Sequence, residues 1–62
     1  MTPAQFNFLD VGQIIYEEKV GSTLHWTVIE VGDGWIDAQC GWAERRIERS
    51  ECQGYSLRVA AY

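Results

Sequence analysis

Few side chains in this sequence are able to carry covalent or acid–base chemistry. His25 is the only histidine, and Cys40 and Cys52 are the only cysteines. A cysteine beside a histidine is the smallest arrangement that makes a thiolate nucleophile with its base. Here His25 adjoins Trp26 inside a β-rich run, which suits a solvent-facing or hydrogen-bonded imidazole. Cys40 alternates with Ile36 and Ala38, which suits a small core residue. Two cysteines and one histidine fall short of the four ligands of a structural zinc site. Asp33 and Asp37 flank a turn and read as solvated carboxylates. There is no P-loop, nucleophile elbow, H-E-x-x-H pair or dinucleotide-binding glycine motif. The expectation is a protein without catalytic residues, cofactor or metal.

The aromatic and basic side chains are more informative. Strand alternation sets Trp35 against Ile36, on the side of Asp37 and Gln39. Trp42 follows the glycine turn at Gly41 and is expected to approach that same side, with Arg46 four residues on. Tyr16 shares the face of Ile14. Trp and Arg dominate protein-interface hot spots, and small barrels grip peptides with surface aromatics. Two readings of Trp35 and Trp42 stay open: they complete the core of a domain short of apolar volume, or they form a contact patch. Arg45, Arg46 and Arg49 make a second cluster, interleaved with Glu44, Glu48 and Glu51. Ion pairs on a solvated face are the simpler account of it, and phosphate contact is the alternative.

These side chains need a frame, and 62 residues allow one domain. So short a chain buries only about 60% of its unfolded surface. Hydrophobic residues are nonetheless 47% of it, with three Trp, three Tyr and two Phe. Glycines at 12, 21, 32, 34, 41 and 54 cut the chain into short apolar pieces. Gln13–Glu17, Leu24–Val31, Trp35–Cys40, Trp42–Ile47 and Ser56–Ala60 read as strands, with Ile36, Ala38, Val28, Ile47, Leu57 and Val59 inward. Glu18–Thr23 reads as a polar connection, Gly32-Asp33-Gly34 as a hairpin turn, and Arg49–Gly54 as a 3-10 turn. Gly41–Cys52 also has the composition of a helix, which would make the fold α+β; its apolar residues make a poor helical stripe. The predicted fold is all-β, a small five-stranded barrel with a short 3-10 turn before its last strand.

Val11–Tyr16, His25–Val28 and Gly34–Gln39 together resemble the layout of small bacterial and phage SH3-like barrel proteins of the YodC-like kind. The resemblance spans about two thirds of the chain, ending near Cys40. It implies an SH3-like fold and a binding-module habit, and it carries over no catalytic residue.

The formal net charge is -4. That balance disfavours nucleic acid and anionic membranes and suits a basic partner. Met1–Gln5 has no basic start, no apolar run reaches signal-peptide length, and none approaches a bilayer span. The expected compartment is the cytoplasm, where Cys40 and Cys52 stay free thiols; a disulfide between them is the alternative. The leading functional expectation is a non-enzymatic protein-interaction module, a small adaptor or inhibitor of the kind phages and mobile elements encode. Trp35, Trp42, Arg46 and Tyr16 are its expected contact residues. The alternatives are a nucleic-acid-binding barrel using Arg45, Arg46 and Arg49, or a subunit of a homo-oligomer.

Overall fold

The computed structural model describes residues Met1–Leu57. It opens with one helical turn, α1 (Pro3–Phe6). Thr2 begins it with a reciprocal cap: the Gln5 amide donates to Thr2 Oγ1 at 3.2 Å, and the Thr2 amide donates to Gln5 Oε1 at 2.9 Å. Pro3 sits where a helix has no use for its amide proton. Five strands follow: β1 (Ile14–Lys19), β2 (Ser22–Val31), β3 (Trp35–Cys40), β4 (Ala43–Glu48) and β5 (Tyr55–Leu57). A 3-10 helix, η1 (Arg49–Gly54), lies between β4 and β5. Residues 41–48 belong to a strand hairpin, so the alternative helix over Gly41–Cys52 is not formed.

The expected polar connection at Glu18–Thr23 is instead the stem of a tight hairpin, with Glu18 opposite Thr23 and Lys19 opposite Ser22. Backbone pairing there carries side chains too polar to mark a strand by hydropathy. Strand four starts one residue later than predicted, because Gly41-Trp42 is the two-residue turn between Cys40 and Ala43. Gly41 takes φ 60° at the first turn position, where glycine suits a hairpin of this kind. Of the predicted fifth strand, residues 58–60, including Val59, lie outside the described residues.

All neighbouring strands are antiparallel, in the order β4-β3-β2-β1-β5. The predicted closed barrel is therefore corrected to an open five-stranded sheet, with β4 and β5 as its edges. Among the described residues β5 pairs with β1 and no ladder joins it to β4. A bulge between Val28 and Glu30 shifts the β2–β3 register.

One face of the sheet holds the core. Ile15, Trp26, Val28, Ile36, Ala38, Ile47 and Tyr55 are buried there, joined by Phe6 and Leu9 from the N-terminal segment and Cys52 from η1. The four residues predicted inward from β2, β3 and β4 (Val28, Ile36, Ala38 and Ile47) are all fully buried. The Met1 nitrogen donates to the Cys52 carbonyl at 3.2 Å and to the Tyr55 carbonyl. These bonds tie the first residue to the η1–β5 junction.

Candidate functional site

The outer face of the sheet places two of the four expected contact residues together. Trp35 starts β3 and Arg46 lies on β4, opposite Asp37. The Arg46 guanidinium stacks 3.8 Å from the Trp35 ring centroid. It also grips Asp37 with two hydrogen bonds, Nε to Oδ1 at 2.9 Å and Nη2 to Oδ2 at 3.3 Å. That fork is rigid in a way a lysine would not be. The Arg46 hydrogen bonds hold the half-buried Asp37 carboxyl below its usual pKa.

The indole also lies against Gly32. A Cβ built on Gly32 would sit 2.0 Å from Trp35 Cε2, so only glycine leaves room for the ring. Trp35 is half-buried. Beside it runs a groove of about 300 Å³ lined by Phe6, Asn7, Gly32–Gly34, Ile36 and Arg49, among others. Arg49 Nη1 donates to Asn7 Oδ1 at 3.0 Å, bracing the wall between η1 and the end of α1. Among the described residues, no ion pair holds Arg49. A flat aromatic flanked by a guanidinium and a shallow groove suits an apolar or proline-like side chain entering from a partner.

The other two expected contact residues stand elsewhere. Trp42 is fully exposed at the β3–β4 turn, whereas Trp35 pairs with Glu48 at the opposite end of the same hairpin. The expectation that Trp42 approaches the Trp35 side is corrected here. The two-residue turn holds Trp42 at the hairpin tip, a strand's length away. Tyr16 pairs with His25 across β1 and β2, ring centroids 4.7 Å apart, and lines a separate depression with Glu18, Thr23 and Ser56.

The three arginines also part company. Arg46 faces outward, Arg49 belongs to η1, and Arg45 turns to the core face because neighbouring strand residues alternate. Arg45 Nη1 donates to Tyr55 Oη at 2.7 Å and pairs with Glu17 Oε2 at 3.3 Å. Its guanidinium lies 5.0 Å from the Trp26 ring. Trp26 Nε1 donates to Glu17 Oε1 at 3.1 Å. Burial pushes the Glu17 carboxyl up, but the Trp26 hydrogen bond and the charges of Lys19 and Arg45 outweigh it, leaving its pKa low. Burial raises the Tyr55 phenol. Sequence reading missed this network, although alternation already set Glu17 on the face of Ile15.

His25 is exposed on the outer face, while Cys40 is half-buried against the core from the other face. Alternation thus separates the only histidine from Cys40. Both cysteines are free. Among the described residues, no three His, Cys, Asp or Glu side chains converge to hold a metal ion, and no helix is long and apolar enough to cross a membrane. No protein-family model, curated protein or solved structure matches the chain.

Proposed function

We propose that this protein is a non-enzymatic protein-interaction module whose contact face is Trp35, Arg46 and the groove running from Gly32–Gly34 to Asn7 and Arg49. The observation that carries this reading is the state of Trp35. Its indole is in contact with both Gly32 and the Arg46 guanidinium, yet the residue is only half-buried. An aromatic fixed in place without being buried loses little side-chain freedom on binding, and this favours a hot-spot role. The strand order, with a 3-10 helix before β5, supports the finer SH3-like description.

The partner surface best suited to the groove presents an apolar residue to Trp35. Asp33 and Glu48 border the adjoining groove around Gly34 together with Arg49, so its rim carries both signs with acid in excess and suits a partner flank of mixed, net basic charge. The experiment is affinity capture from the native cell with the immobilised chain. Trp35→Ala should fold and lose the captured protein, and Tyr16→Ala should retain it. Loss of capture with Tyr16→Ala but not with Trp35→Ala moves the contact face to the other depression and overturns this assignment.

A further inference from the structure

Among the described residues β4 is an edge strand, and its outer side has a definite pattern. The Arg49 amide donates to Gly34 O at 2.9 Å, in the same register that pairs Ile47 with Ile36 and Ala43 with Cys40. Hydrogen bonding alternates along an antiparallel ladder. Residues 43, 45 and 47 therefore spend their backbone groups on β3, and Glu44, Arg46 and Glu48 turn theirs to open solvent. The side chains of those same three residues stand on the outer face, opposite Gln39, Asp37 and Trp35.

We infer that the β4 edge pairs with the β4 edge of a second copy of this chain, antiparallel about a two-fold axis at Arg45, giving one continuous sheet. Charge selects the register. Residues that bond across a two-fold antiparallel edge must both come from the outward-bonding set. An axis at Arg46 sets Arg46 against Arg46 and Glu44 against Glu48, all like charges. An axis at Glu44 opposes Glu44 to itself. An axis at Ile47 pairs Arg46 with Glu48 but runs the rest of the strand into η1. The axis at Arg45 pairs Glu44 with Arg46 of the second copy, twice, and uses the whole strand. Opposite charges directly across a ladder stabilise it, and like charges do the reverse.

Two further observations fit this register. The Arg45 side chains meet at the axis, each paired inside its own chain with Glu17 at 3.3 Å and Tyr55 at 2.7 Å. Arg46 is likewise paired with Asp37, so what selects the register is Glu44 standing opposite Arg46 rather than opposite Glu48. The exposed indole of Trp42 comes to the end of the new ribbon, beside Glu48 of the second copy, the residue paired with that copy's Trp35. This inference does not rest on the proposed partner face, because the purified chain is its own ligand.

The test is sedimentation equilibrium up to about 1 mM protein, since a single-strand interface associates weakly. The wild type should dimerise. Glu44→Pro should weaken dimerisation about tenfold or more, because proline removes an amide that only the second copy uses. Glu44→Arg and Arg46→Glu should each fail to self-associate, and an equal mixture of the two should dimerise, because both cross-copy pairs are then opposite in charge again. Amide exchange gives a second readout: the Glu44, Arg46 and Glu48 amides should slow with concentration. A monomeric wild type, a mixture no tighter than its components, or a dimer whose Glu44 and Arg46 amides stay unprotected would each overturn the inference.

Discussion

Neighbouring residues on β4 build the same chemistry twice, on opposite faces of one sheet. Arg45 and Arg46 each pair with a carboxylate and lie over a tryptophan. On the core face the tryptophan is Trp26, buried to 3% exposure, and its N–H is taken by the same Glu17 that holds Arg45. On the outer face the tryptophan is Trp35, which stays half-buried beside the Arg46–Asp37 pair. The guanidinium is closer to the ring outside, 3.8 Å against 5.0 Å. Stacking geometry therefore does not separate a structural cluster from a contact surface. What separates them is whether the ring's remaining area already has a neighbour.

The largest effect that would break this comparison is at the two rings. Trp26→Ala should cost about 3–5 kcal/mol, the range for a buried aromatic, while Trp35→Ala should leave the chain folded. Thermal melts of the pair decide it, and equal losses would show that Trp35 is core as well. Next come the arginines. Arg45→Ala leaves Glu17 and Tyr55 without their shared donor and should cost about 1–2 kcal/mol. Arg46→Ala removes an exposed arginine, and the melting temperature should stay close to wild type. A larger loss from Arg46→Ala would reverse the assignment of the two faces.

Gly32→Ala is smaller in stability but sharper in its target. The new methyl occupies the place of the indole, so Trp35 must swing aside, at about 1 kcal/mol, the low end of overpacking costs. The upfield ring-current shift of the Arg46 side-chain protons should then vanish, while the shifts of Arg45 over Trp26 persist. Smallest is the acid response. Glu17 and Asp37 both have folded pKa values below their usual ones. Their contribution is thus present above the unfolded carboxylate pKa and is lost as pH falls through the lowered folded values. Glu17→Gln should flatten that loss in a chemical-denaturation series more than Asp37→Asn does.

β3 was the most legible element in the sequence. Period-two alternation of Ile36, Ala38 and Cys40 against Trp35, Asp37 and Gln39 is the pattern of a half-buried strand, and the register in the structure agrees with it. The Glu18–Thr23 stem was not legible, because its stability comes from backbone pairing across a short turn and its side chains are polar. α1 carried a signal in Thr2-Pro3-Ala4-Gln5, the two ends of a reciprocal cap around a proline, but one turn of helix leaves no periodicity to read. At the candidate site, alternation was enough to set Trp35 outward. It could not place Trp42, whose position depends on the turn type at Gly41, nor reveal that Gly32 lies under the indole, which is a contact between residues of one loop in space.

The three tryptophans stand in three grades of solvent contact: Trp26 sealed, Trp35 half-covered and Trp42 at 103% exposure. Indole emission shifts to the red and becomes accessible to collisional quenchers as its surroundings become aqueous. The chain therefore carries three built-in optical probes at three separate places. Variants retaining one tryptophan each would report unfolding of the core from Trp26, occupation of the groove from Trp35, and events at the hairpin tip and the β4 edge from Trp42, with no dye attached to so small a surface.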